Sequence, residues 1–332
     1  MSVDHVLERV RAQLDLDAEA EHELLEELRG HLEDAVAAAR AQGLDFVAVT
    51  EHNTVSHLPH LREMQGGSPL LIPGLEISTY RGHANVWPVE DWFDFRCWRE
   101  EQMRAVREAV AQRGALFSIN HPKDSGPPWC FDDLFDPDCI EVWGAPWFLS
   151  NYQALAVWDG LLRAGKRVTA VGGSDKHQGP FTGEVGWYEI GTPTTWVWAE
   201  ELSIPAIVEG LRRGRVFISE GPQGPRVELT AEADGQQARM GEDLSVLPGG
   251  ALRLTCRVEG GEGSLLRLLS DRRVITVEID ADPFVYHAEI RADGSGYIRS
   301  EVIEPPEVPL EEEPAALMVR ALGNPIYLKP IG

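Results

Sequence analysis

Four short β-type runs in this chain each end on a residue type that can bind a metal ion. Phe46-Val47-Ala48-Val49-Thr50 leads into Glu51-His52-Asn53. Leu70-Leu71-Ile72-Pro73-Gly74-Leu75 stops at Glu76, and His83 follows shortly after. Ala115-Leu116-Phe117-Ser118-Ile119 runs into Asn120-His121-Pro122. Val168-Thr169-Ala170-Val171 runs into Gly172-Gly173-Ser174-Asp175-Lys176-His177. Neutral imidazole and carboxylate together suit zinc, iron or manganese. A carboxylate such as Glu76 can bridge two ions, and an ion pair of that kind activates water and clamps both oxygens of an ester undergoing displacement. Taken singly, each residue has a plainer role: a hydrogen-bonding histidine, a salt-bridging glutamate, a Gly-Gly-Ser turn. Their shared placement at strand ends points to one metal site at the mouth of a parallel barrel.

The elements that would carry these residues alternate. Residues 3–42 read as helix, with apolar stripes at Val6, Leu7, Val10 and Leu14 and at Leu24, Leu25, Leu28, Leu32 and Val36, and a break expected at residues 15–17. Its outer face is strongly acidic. Gly43, Gly114 and Gly165 are placed to stop helices. A helix is expected over 98–112 and another over 152–164. Ser203 and Pro205 mark the start of a helix over 206–213. Strands are expected over 46–50, 70–72, 76–79, 84–87, 116–119, 140–143, 168–171 and 194–198. Helices alternating with short parallel-type strands argue for an α/β barrel, whose strand ends converge on one mouth. After Gly214 the pattern changes to alternating runs separated by Gly, Asp and Pro turns, which predicts a small antiparallel β domain. The expected division is an acidic helical segment over 1–30, a metal-binding barrel over 31–219 and a β domain over 220–332.

Composition is that of a globular protein, 43% hydrophobic and 25% charged. A formal net charge of −24 argues against nonspecific nucleic-acid or anionic-membrane binding. No apolar segment reaches transmembrane length, and the start Met1-Ser2-Val3-Asp4-His5 has no signal-peptide character, so a cytoplasmic location is expected. Cys97, Cys130, Cys139 and Cys256 form no C-x-x-C pair and are expected as free, buried thiols.

The chain resembles the PHP (polymerase and histidinol phosphatase) superfamily of metal-dependent hydrolases, and within it the carbaryl hydrolase-type, CehA/McbA-like branch. The resemblance rests on Gly43–Thr54, Pro73-Gly74-Leu75-Glu76-Ile77, Gly82-His83-Ala84-Asn85, Asn120-His121-Pro122 and Gly173-Ser174-Asp175-Lys176-His177. Thr194-Thr195-Trp196-Val197, the stretch over 210–218 and the tail Gly323-Asn324-Pro325-Ile326-Tyr327-Leu328 also fit. It covers roughly residues 32–330. The resemblance implies a distorted (β/α)7 barrel, a β-sandwich-like domain after it, and one to three divalent ions. It implies that Glu76 bridges two ions, that His83 and His121 complete one site, that Asp175 belongs to the other, and that His52 and His177 belong to a third. It implies catalytic roles for Glu76, Asp175 and His177 on a small-molecule phosphoester, carbamate or aryl ester, with a homo-oligomer as one arrangement.

The chain departs from that pattern at its start. The His-x-His pair of the family's first strand is absent, and acidic helix stands in its place. His31 or His22 are substitute ligands or surface histidines. Loss of turnover would leave a binding or regulatory barrel. Glu51, where the family has Asp, is either a ligand-orienting acid or a surface acid. Arg81 and Lys176 are either anion contacts or solvated charges, and His57 and His60 line the mouth or pack. Trp87, Trp129, Trp143 and Trp147 are candidates for a pocket wall or for the core.

Overall fold

The computed structural model describes residues 18–177, 189–310 and 312–331. The stripe through Val6, Leu7, Val10 and Leu14, and the expected break at residues 15–17, lie outside them. Helix α1 (Ala18–Ala41) ends at Gly43, whose φ of 72° is the left-handed conformation a helix stop requires. Leu32 and Ala39 are its buried contacts, and His31 faces solvent.

A mixed α/β architecture follows. Strands β1 (Phe46–His52), β2 (Leu70–Thr79), β3 (Gly82–Trp87), β4 (Leu116–Ile119), β5 (Cys139–Gly144) and β6 (Thr169–Gly173) form one six-stranded sheet in chain order, curled into a half-barrel. Helices α2 (Leu58–Met64), α3 (Glu100–Gln112) and α4 (Asn151–Arg163) connect β1 to β2, β3 to β4 and β5 to β6. Met103, Val106 and Val110 of α3 and Leu155, Trp158 and Leu162 of α4 are buried, and they join the core with Leu75, Ile77, Phe117 and Ile140.

The expectation of uniformly parallel strands is corrected at β3, which runs antiparallel to both β2 and β4. Only Tyr80 and Arg81 separate β2 from β3, whereas a parallel crossover needs about a dozen residues. His83 therefore begins its strand rather than ending it. It still reaches the same mouth, because an antiparallel strand starts where its neighbours finish. The two runs expected over 70–72 and 76–79 form a single strand through Pro73. That proline is tolerated because β3 pairs with β2 only from Leu75 onward, so Pro73 has a ladder on the β1 side alone.

Strands β7 (Thr194–Val197) and β8 (Val216–Ser219) flank helix α5 (Ile204–Arg212), which Ser203 caps by accepting the Ala206 N–H. Side chains join this pair to β6. Thr195 Oγ1 accepts from Gly172 N–H at 2.8 Å and donates to Gly172 O at 2.7 Å. The Asn324 carboxamide accepts from Ala170 N–H at 2.8 Å and donates to Ala170 O and Val216 O.

The C-terminal part is two facing sheets. One has the order β10 (Gln236–Arg239), β9 (Arg226–Ala233), β12 (Ala251–Glu259), β15 (Phe284–Arg291). The other has the order β11 (Asp243–Val246), β18 (Ile326–Pro330), β16 (Tyr297–Ile303), β17 (Val319–Gly323), β8, β7, with β13 (Leu265–Leu269) and β14 (Val274–Glu278) attached beside β16. Alternate residues of β9 and β12, such as Val227, Leu229, Leu254 and Cys256, fill the space between them. The expected wholly antiparallel pattern is broken by β11 and β18, which pair in parallel. Strand β17 begins only at Val319, after a 3-10 turn over Pro314–Ala316. Arg299, 1% exposed, ties the two parts together through two 3.0 Å bonds to Asp159 on α4.

All four cysteines are free, three of them buried and Cys130 exposed. Among the described residues no helix is long and apolar enough to cross a membrane.

Candidate metal centre

Register builds the site. His52 pairs with Glu76 across β1 and β2, and Ser78 pairs with His83 across β2 and β3. Side chains directly opposite in a ladder share a face, and alternate residues along a strand return to it. Glu76, Ser78, His83 and His52 thus project to the same side. Their donor atoms converge: one nitrogen each from His52 and His83 and one Glu76 oxygen all lie within 4.8 Å of one another. Glu76 Oε1 is 2.7 Å from His83 Nδ1 and 3.5 Å from His52 Nδ1.

The remaining expected ligands surround this group. The His121 ring meets His83 edge-on at 5.2 Å. His177 stacks on His52 at 5.0 Å, with the two Nε2 atoms 2.8 Å apart. Asp175 adopts a left-handed φ of 51° at the turn after β6, and its carboxylate interacts with His121, Glu76, His177 and His52. His31 is exposed, and the His22 side chain lies outside the described part of the chain.

Glu76 is 4% exposed. Burial pushes its carboxyl up, but the contact with His83 and the positive ends of His52, His83 and His121 outweigh that and hold it below the ordinary value. It is an ionised carboxylate ringed by imidazoles. Asp175 moves the other way: burial and the nearby Glu76 charge push it up against the pull of His121, His177 and His52. Burial holds the His121 imidazole below its ordinary value, opposed by Asp175 and Glu76.

The donor set fits a divalent ion. His121 Nδ1 is buried without a hydrogen-bond partner. A buried polar atom of that kind is costly, and a cation would use its lone pair. Two imidazoles and a carboxylate suit zinc, iron or manganese.

Residues outside the expected set support it. Glu141 on β5 is 7% exposed and accepts the main-chain N–H of His121 at 2.8 Å. His121 sits there at a φ of 29°, a conformation that needs such a hold. Gly144 and Gly173 leave space for the Glu141 carboxylate; a Cβ on Gly144 would lie 3.0 Å from it. Burial, with the charge of Asp175, pushes the Glu141 carboxyl up to about 8 against the pull of Lys123 and the His121 N–H. Lys123 is buried and donates to Gly144 O at 2.8 Å and Asn151 Oδ1 at 2.7 Å. The available signal for Glu141 was a lone charge inside the apolar run Ile140-Glu141-Val142-Trp143.

Other candidates make contacts of their own. Arg81 reaches Cys130 O and Glu100. His57 is buried against Gly74 O at 3.1 Å. Trp87, Trp143 and Trp147 belong to the core, and Trp129 packs on Gly82 beside His83. Lys176 points its amine toward Glu189 at 3.8 Å. No protein-family model matches the chain, and no curated protein matches it.

Proposed function

We propose that the protein is a metal-dependent hydrolase of the PHP type acting on a phosphoester or a related carbamate or aryl ester. The observation that carries this reading is the convergence of His52, Glu76 and His83, with His121, Asp175 and His177 beside them. On this reading the curled sheet with β7 and β8 is a distorted (β/α)7 barrel, open where the family's His-x-His strand would stand. The location is cytoplasmic, and the partners are a small ester substrate and a second copy of the chain in a homo-oligomer.

One to three divalent ions, zinc, manganese or iron, would be held by Glu76 with His83 and His121, by Asp175, and by His52 with His177. Such an ion acts as a Lewis acid and makes water nucleophilic near neutral pH. The ionised Glu76 supplies the negative charge that draws the ion into a buried position. Asp175, at the rim with its carboxyl pushed up, is placed to accept a proton on a carboxylate oxygen. His177, the more exposed side chain, would hold a further ion with His52 or contact substrate. Purified protein loaded with Mn²⁺ or Zn²⁺ should cleave an activated phosphodiester or aryl ester, and Glu76→Gln should not. Activity no higher than that control would reject the reading.

The absent His-x-His pair favours a second reading, a barrel that has lost turnover and binds or regulates. Elemental analysis separates the two: two or three ions per chain support the hydrolase, and one or none supports the binding module.

A further inference from the structure

We propose that the open edge of β15 pairs antiparallel with the same strand of a second copy of the chain, about a two-fold axis at Ala288. Strand β15 bonds to β12 on one side, and among the described residues no strand takes the other. It is eight residues long, and its register with β12 is unbroken. Exposed edges are usually blunted by shortness, by a bulge, or by an internal proline or lysine. The opposite edge of the same sheet is the four-residue β10, while β15 carries none of these guards. Its inward row is also incompletely covered. Val227, Leu229, Leu254 and Cys256 on the neighbouring strands are at most 1% exposed, whereas Phe284, Tyr286, Ala288 and Ile290 are only half-buried. Ile275 and Val277 of β14, half-buried as well, pack against the same core. An unpaired ladder beside an apolar row leaves both hydrogen bonds and buried area for an added strand to gain.

Parity and charge choose the register. Directly opposed residues of an antiparallel pair lie on one face of the sheet. The inward residues of β15 are the even-numbered ones. A symmetric pairing keeps them on the core side only if its axis passes through a residue rather than between two. Axes at His287 and at Ala288 give the longest overlaps. The first sets the two His287 imidazoles against each other and Val285 against Glu289. The second sets His287 opposite Glu289 and Tyr286 opposite Ile290, each twice, and puts Ala288, the smallest side chain of the inward row, on the axis. It also lays the Arg291 stem over Val285. His287 is already oriented for this: Thr255 Oγ1 lies 3.0 Å from its Nδ1, which leaves Nε2 to meet the carboxylate. Glu289 lies 3.5 Å from Arg253, its partner across β12, so the new pair extends an existing row of charges. Two four-stranded sheets then become one continuous sheet. The contact gives a surface to the homo-oligomer of the reading above, rests on that part of it alone, and owes nothing to the metal chemistry.

Sedimentation equilibrium of the full-length, metal-stripped protein reads the contact directly. Wild type should show a monomer–dimer equilibrium. His287→Glu sets two carboxylates opposite each other, and Glu289→Lys removes the acceptor and adds a cation. Each should weaken the dimer by about 10-fold or more. His287→Glu combined with Glu289→Lys again opposes unlike charges and should recover the dimer. Both side chains are exposed, so the variants should stay folded, which circular dichroism checks. A wild type that sediments as a monomer throughout overturns the proposal and leaves the edge to another occupant. A dimer indifferent to both single variants overturns it by placing the contact elsewhere, as does a double variant no stronger than the single ones. Ester cleavage plays no part in the readout, so the strand contact and the hydrolase reading fail separately.

Discussion

Glu141 accepts the main-chain N–H of His121 across 2.8 Å, from the strand that follows it. The bond holds a ligand candidate in a left-handed backbone conformation that histidine adopts rarely. Glu141→Ala leaves that buried N–H unpaired, at a cost of about 1–3 kcal/mol. It should also weaken zinc binding by about 10-fold, because the ring is no longer held in place. Glu141→Gln keeps an acceptor and should lose less of both. Thermal melts and calorimetric zinc titrations of the two variants check this; equal affinity in Glu141→Ala and wild type would rule it out.

Among the described residues, Glu76 is the buried carboxylate that touches two of the imidazoles. Glu76→Gln should lower metal affinity by more than about 100-fold, beyond the range typical of outer partners. Glu51 lies next to His52 but on the opposite face of β1 by alternation. Glu51→Gln should leave metal content unchanged. Elemental analysis of both, prepared without chelators, gives the answer.

Acid should act through His57. Burial lowers its pKa from 6.5 to about 4, while its ring stays bonded to Gly74 O. The folded chain therefore keeps His57 neutral over a range where the unfolded chain takes up a proton. Its contribution is complete above the unfolded value and is lost as pH falls from about 6.5 through about 4. The amount is about 3 kcal/mol. Urea denaturation of metal-free protein across that window should show a shallower loss in His57→Gln than in wild type. Parallel curves would remove His57 from the account.

Asn324, fully buried, replaces a strand ladder between β6 and β8 with its side chain. Asn324→Ala strands the Ala170 N–H and carbonyl, while Val216 O keeps the main-chain N–H of residue 324, and should cost about 3 kcal/mol. Asn324→Asp should cost more than Asn324→Ala, because it turns a carboxylate oxygen toward two carbonyls. Differential scanning calorimetry reads the order directly.

What the sequence determined by itself is local. The run 46–50 makes a strand because its β-branched and aromatic residues suit a pleated sheet. Gly43, Gly114 and Gly165 end helices because each takes a positive φ, and Ser203 begins one because its hydroxyl accepts a free N–H. The placement of His52 at the end of its strand was readable for the same reason, whereas the run expected to stop at Glu76 continues to Thr79. Tertiary structure decided everything that depends on pairing. The short β2–β3 turn reversed β3 and put His83 at the start of its strand. Register brought Ser78 against His52, and the packing of β5 turned Glu141 inward beneath His121. His52 and His177 stand 125 residues apart, and no periodicity in a single chain encodes that their Nε2 atoms meet. Such contacts follow from which strands pair and in which direction, and that is settled by burying many side chains at once.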